Sequence, residues 1–213
     1  MQFASRLPKP SHPHRSNVSH FHPVALEHAS RLINHGPTVL VTSRGKDGTR
    51  RNIMAAAWSM PVEFTPPRIA IVIDKKTFTR ELIIESGGFG VCIPGAALAG
   101  LAYAVGNNTG READKFTQYG INARVGPVLG MPVIEEGCAA WFECRWIPEK
   151  HTEDAYDTCF AEVVSAAADE RVFQHGRWSF RDDNQELQTI HHLGAGNFVH
   201  AGQIIRAAQP GQS

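Results

Sequence analysis

Signatures of the common nucleotide and hydrolase sites are missing from this chain. No strand leads into Gly-x-Gly-x-x-Gly and no Gly-x-x-x-x-Gly-Lys-Ser/Thr loop occurs, which excludes a Rossmann dinucleotide site and a Walker phosphate loop. Without Gly-x-Ser-x-Gly there is no nucleophile elbow of the α/β-hydrolase kind. His-Glu-x-x-His is absent too, so there is no zincin helix. The four cysteines, Cys92, Cys138, Cys144 and Cys159, contain no Cys-x-x-Cys pair and read as small buried residues. No apolar run approaches the ~20 residues needed to span a bilayer, and the first residues lack the apolar stretch of a secretory signal. An excess of one charge is lacking as well. Lys+Arg 21 balances Asp+Glu 21, so no overall field draws the chain to nucleic acid or to an anionic membrane. The expectation is a cytoplasmic protein with no structural metal, no nucleic-acid partner and no membrane partner.

What is present is enough apolar chain for one domain: 213 residues at 42% hydrophobic content. Residues 1–23 stand apart, because Pro8, Pro10, Pro13 and Pro23 alternate with His12, His14, His20 and His22. They read as a mobile arm, although His-x-His on an extended chain also suits a transition metal. A helix over residues 24–34, stopped by His35-Gly36-Pro37, opens the domain proper, residues 24–213.

The centre of the chain is Arg51-Asn52-Ile53-Met54-Ala55-Ala56-Ala57-Trp58. It follows the strand-like run Thr38-Val39-Leu40-Val41-Thr42-Ser43 across Asp47-Gly48, a hairpin signal. Three alanines replace the bulky residues a strand prefers, so this is either a tightly packed barrel corner or a place where a flat ligand lies close to the backbone. Pro61 is expected to end the pairing. A third strand, residues 68–73, is apolar on both faces and should be central. Lys75-Lys76-Thr77-Phe78-Thr79-Arg80 then leads into a helix from Glu81 to Ser86. Hydroxyls and cations at such a start suit either an anion or an ordinary cap.

A strand over residues 89–94 and a small-residue helix over residues 96–105 follow. Thr109 and Glu112 have capping-box spacing, which predicts a helix from Gly110 to Tyr119 with Arg111 in its first turn. Arg111 there opposes the dipole and calls for an anion or for Asp114, three residues on. Strands are expected over residues 139–147, 157–165, 171–180 and 197–205, with a glycine-bearing loop over residues 189–198 whose paired histidines are ligand contacts or plain surface. Many strands with helices between them give a mainly β fold, a barrel with inserted helices.

Several segments occur together in order: Asn52-Ile53-Met54-Ala55-Ala56-Ala57-Trp58, Phe64-Thr65-Pro66-Pro67, Phe78-Thr79-Arg80-Glu81-Leu82-Ile83, Gly110-Arg111-Glu112-Ala113-Asp114-Lys115-Phe116 and Phe160-Ala161-Glu162-Val163-Val164. The set resembles the flavin reductase-like family of FMN-binding split barrels, which includes flavoredoxin and the reductase components of two-component monooxygenases. That resemblance implies a Greek-key split β-barrel, a homodimer and FMN near the subunit interface. By position it assigns residues Asn52, Ile53, Met54, Ala55, Ala56, Ala57 and Trp58 to the ring edge. Lys76, Thr77, Thr79 and Arg80 fall on the phosphate side. Gly110, Arg111, Lys115 and Phe116 border the pocket, and His192, Asn197 and Phe198 form the late loop.

One position departs from the family pattern. Many members that use NADH or NADPH carry Gly-Asp-His before the strand ending in Gly-Glu-Val, and here the matching residues are Asp154-Ala155-Tyr156. Tyr156 thus takes the catalytic position of the histidine that meets the nicotinamide. The expected function is an FMN-dependent oxidoreductase of the flavin reductase type, with NADH or NADPH as donor and a redox protein or monooxygenase as partner. A flavoredoxin-like electron carrier and a non-catalytic flavin- or haem-binding module remain the alternatives.

Overall fold

The structure is a computed structural model that describes residues 36–205 and residue 207. The arm of residues 1–23 and the helix expected over residues 24–34 lie outside the described residues.

Strands β1 (Val39–Arg44) and β2 (Arg51–Ala56) form the hairpin announced by Asp47-Gly48, in register from Val39 opposite Ala56 to Arg44 opposite Arg51. Gly48 takes φ +76°, and the Asp47 carboxylate accepts from Thr49 N at 3.0 Å across the turn. The chain returns as β3 (Ser59–Phe64) and β4 (Pro67–Val72). Pro61 does not end the pairing as expected: it lies inside β3 opposite Ile69, next to a register shift between Pro61 and Glu63. Among the described residues β3 pairs with β4 alone, and an edge strand with a bulge tolerates the missing N–H.

Helix α1 (Phe78–Ser86) comes next, capped by Thr77 Oγ1, which accepts from Arg80 N at 3.2 Å, and closed by Gly87. Strand β5 (Gly88–Pro94) and helix α2 (Ala99–Asn107) follow as expected. The helix expected from Gly110 is a correction. Helix α3 (Lys115–Gln118) starts five residues later, with the Asp114 carboxylate accepting from Phe116 N at 3.0 Å. Thr109 Oγ1 instead accepts from Arg111 N at 3.3 Å, which closes a local turn and leaves residues 110–113 outside the helix.

The second half contains the ribbon β6 (Arg124–Val125) and β7 (Pro132–Val133), then β8 (Cys138–Ile147), helix α4 (Lys150–Tyr156) and β9 (Thr158–Ala168). The extended piece expected over residues 171–180 is a small ribbon, β10 (Phe173–Gln174) and β11 (Arg177–Trp178). The expected glycine loop is a second hairpin, β12 (Ile190–Gly194) and β13 (Asn197–His200), turned by Gly194, Ala195 and Gly196, all at positive φ.

Seven strands form one antiparallel sheet in the order β2-β1-β5-β8-β9-β4-β3. Its two outermost strands, β2 and β3, are consecutive in the chain, with only Ala57 and Trp58 between them, so the sheet must curl until its edges meet. Val72 N donates to Trp58 O at 3.0 Å at that corner. This is the split barrel with inserted helices. Alternate residues face opposite ways: Val39 and Val41 point inward to Ile71, Phe89, Val91 and Cys159. Leu40 and Ile53 point outward, where Ala102 and Val105 of α2 and Phe116 of α3 cover them. All four cysteines are buried and free. Glu143, buried on β8, accepts from Val128 N and Leu129 N at 2.8 Å and from Met131 N at 3.1 Å, which fastens the 128–131 loop to the barrel. Among the described residues no helix is long and apolar enough to cross a membrane.

Candidate functional site

Among the described residues strand β2 has a neighbour on one side only, so every second main-chain N–H and C=O along it points away from the sheet. The Ile53 carbonyl is one of these, because Lys115 Nζ reaches it at 2.9 Å from outside. Two residues on, Ala55 points its main chain the same way. Helix α2 passes this edge closely: a Cβ on Gly106 would come within 3.4 Å of Ala55 Cβ. A groove results, with the small-residue strand as floor and α2 as wall.

Two lobes meet at Gly106. The first, about 210 Å³, is lined by residues 55–57, by Tyr103 and Asn107 of α2, and by His192 and Phe198 of the second hairpin. His192 packs on Phe198 with ring centroids 5.0 Å apart, and its main-chain N–H donates to Thr38 Oγ1 at 3.1 Å. The bond to Thr38, with Thr38 N donating to Ile190 O at 2.8 Å, holds the hairpin beside the lobe. The second lobe, also about 210 Å³, lies between Asn52 and Met54, the start of α1 at residues 76–79, and the loop at residues 108–111.

Each lobe contains one buried polar atom that has no hydrogen-bond partner among the described residues. In the second lobe it is Asn52 Oδ1; the Nδ2 of the same side chain donates to Thr79 Oγ1 at 2.9 Å. In the first it is His192 Nε2. Thr77 and Lys76 stand where the first-turn N–H groups of α1 lack carbonyl partners within the helix, an arrangement that favours an anion. Arg111 leans over the Phe78 ring at 5.4 Å and pairs with Glu81 at 2.7 Å. The partner expected for it, Asp114, pairs with Arg51 at 2.8 Å instead. The hydrogen bond from Arg111 holds the Glu81 carboxyl below its ordinary range. At Asp114 burial pushes upward, but the bonds from Arg51, Thr117 and Phe116 N outweigh it and the carboxyl is lowered.

Lys115 is the least ordinary group of the wall. Its side chain is buried, at 2% exposure, and Nζ donates to Ile53 O at 2.9 Å and Val105 O at 2.8 Å. Burial lowers its pKa to about 8.

Six of the residues assigned from sequence line neither lobe. Arg80 turns into the barrel wall, where it pairs with Glu153 at 2.7 Å and contacts Cys159 Sγ. Glu153 also accepts from Trp146 Nε1 at 3.1 Å, so this buried cluster fastens α4. Ile53 and Phe116 face the second core, and Trp58 is half exposed at the corner. Asn197 donates to Gly194 O at 3.1 Å and holds its own turn. Tyr156, the last residue of α4, is 66% exposed and meets His151 edge-on at 6.0 Å. Its segment is docked on the turn before α1 by Lys75, which donates from Nζ to Asp154 O at 2.6 Å and from N to Asp157 Oδ1 at 3.0 Å. Sequence reasoning in turn missed Tyr103, Gly106 and Asn107. The signal was available, since a helix rich in Ala and Gly invites the same close approach as residues 55–57.

A curled antiparallel sheet with a groove along its β2 edge beside a helix defines a split barrel with a candidate ligand groove. The Flavin reductase like domain matches residues 31–182, and the chain belongs to that family. An Escherichia coli K12 protein, the uncharacterized YddH, is 59% identical over 190 residues, covering 89% of this chain and all of that one. Among solved structures, an FMN-binding domain of a flavin reductases-like enzyme from Shewanella baltica OS155 superposes with TM-score 0.77 at 38% identity, covering 87% of this chain and 96% of that one. Flavoredoxin of Desulfovibrio vulgaris (Miyazaki F) follows at TM-score 0.70 and 26% identity, covering 83% and 92%.

Proposed function

We propose that the protein is an FMN-binding oxidoreductase of the flavin reductase type and that the β2-edge groove holds the flavin. The observation that supports it best is the two-lobed groove with one buried, unpartnered polar atom in each lobe. FMN has a flat ring at one end and a phosphate at the other, joined by a polyol, and this matches the groove. Residues 55–57 give the ring a flat floor, and the outward main chain of Ala55 meets its polar edge. Tyr103, His192 and Phe198 cover it and exclude water. Asn52 Oδ1 accepts from a hydroxyl of the polyol. Lys76, Arg111 and the first-turn amides of α1 receive the phosphate. Bound there, FMN supplies the electron-accepting centre, while the chain orients it and tunes its charge. A homodimer, a cytoplasmic location and a monooxygenase or other redox protein as partner belong to the same reading.

NADH or NADPH is the proposed donor, and anaerobic mixing of the FMN-loaded protein with each tests it: flavin absorbance should bleach. A second reading, an electron carrier without nicotinamide turnover, is favoured by Tyr156, which stands at the departing position and outside both lobes. On that reading wild type bleaches slowly, and Tyr156→His accelerates bleaching by about tenfold or more without changing FMN affinity, because orienting the donor lowers the barrier. Wild-type bleaching within milliseconds, unaltered in Tyr156→His, contradicts the carrier reading.

A further inference from the structure

We propose that Lys115 is the positioning charge of the groove: a buried ammonium without a counter-ion that favours negative charge on the ligand edge facing Ile53 and Ala55. The inference rests on the flavin reading and deepens it. An ammonium carries three N–H donors, and two of them are taken by the Ile53 and Val105 carbonyls. Both partners are neutral, and among the described residues no carboxylate reaches Nζ. The charged groups around it are already committed or lie elsewhere. Arg51 of β2 is bonded to Asp114, which precedes Lys115, and Arg111 is bonded to Glu81 of α1. Lys76 lies across the lobe, and α2 contributes only Tyr103 as a titratable side chain. Burial with no opposite charge is why the amine titrates near pH 8.

Ligand chemistry says which edge the charge meets. The polyol of a flavin is attached at N10, next to N1 and O2 of the pyrimidine ring. With the phosphate at α1 and the ring on residues 55–57, the stretch between them would run past Asn52 and Ile53, and the N1 and O2 edge would lie on the Lys115 side. Negative charge appears on that edge when the ring takes two electrons and one proton, the proton going to N5. A fixed positive charge there makes reduction easier.

The test is the midpoint potential of the FMN-loaded protein, poised by an electrode between pH 6.5 and 9.5, for wild type, Lys115→Met and Lys115→Arg. Below about pH 8 Lys115 is already charged, and reduction takes up one proton per two electrons. Above it, the amine is neutral beside the oxidised ring and gains a proton on reduction, so the wild-type potential should fall about twice as steeply with pH. Lys115→Met should have a lower potential below pH 8 and no steepening; Lys115→Arg should keep the higher potential, also without steepening. A wild-type slope that stays constant through pH 8, or a Lys115→Met potential equal to wild type, overturns the inference. If the variants fail to fold, the wild-type profile decides alone. Failure of wild type to bind FMN overturns the flavin reading and this inference together, whereas FMN binding with a flat profile overturns the inference alone.

Discussion

Gly110 lies against Asn52 so closely that a side chain on it would collide with Oδ1. That contact keeps an otherwise unpartnered acceptor turned into the groove, between the start of α1 and the wall formed by α2. Gly110→Ala should therefore push the Asn52 side chain aside and break its 2.9 Å bond to Thr79. The expected result is a loss of FMN affinity of about tenfold or more, the equivalent of one good hydrogen bond, with little change in the barrel. Fluorescence titration of FMN against both proteins measures it, and unchanged affinity would remove Asn52 from the site. At the same scale lies the difference between Arg111 and Arg80. The family resemblance assigns Arg80 to the phosphate side and Arg111 to the border of the pocket. Arg111 reaches the lobe with its charge shared with half-exposed Glu81, while Arg80 is held by the mostly covered Glu153. Arg80 lies on α1 and Arg111 on the loop at residues 110–113, and the direction each side chain takes is set by what packs beneath it, which the local sequence does not show.

Whole elements show where sequence reading succeeds. The β1–β2 hairpin and the end of α1 are governed by their own residues, Asp47-Gly48 and Gly87, and were legible, whereas α1 starts at Phe78, three residues before the expected Glu81, because Thr77 takes the cap. The helix expected from Gly110 failed because two polar side chains competed for one role: Thr109 closed a turn and Asp114 took the cap. The second hairpin was hidden because Ala195 adopts φ +50°, which its sequence neighbours do not advertise. The part played by α2 was least visible, since which face of a small-residue helix meets β2 is decided by the outer core. Loop anchoring belongs to this scale too. Glu143→Ala leaves the N–H groups of Val128, Leu129 and Met131 without their acceptor. Unfolding in urea should show a loss of about 3 kcal/mol or more, and a loss under 1 kcal/mol would mean that the loop is held by other contacts.

The whole molecule leaves an apolar strip open on its outer edge. Met60 and Phe64 of β3, at 59% and 95% exposure, stand on the strand that follows the groove-floor corner, with half-exposed Trp58 at the corner itself. Apolar side chains concentrated on an edge strand are a liability in an isolated subunit and are normally covered. Sedimentation should find a dimer at micromolar concentration, and Met60→Asp with Phe64→Asp should shift it to monomer. A wild-type monomer under those conditions contradicts the homodimer reading.

The groove as an FMN site is the claim on which the rest depends, and competition between two flavins tests it most directly. FMN and riboflavin share the ring and polyol and differ by the phosphate, so their affinity ratio isolates the α1 end of the groove. Titrating apoprotein with each should give one FMN per chain and riboflavin binding weaker by about tenfold or more, the loss of charge-assisted bonds to Lys76, Arg111 and the first-turn amides. Equal affinity for the two flavins, or no saturable binding of either, would contradict the account.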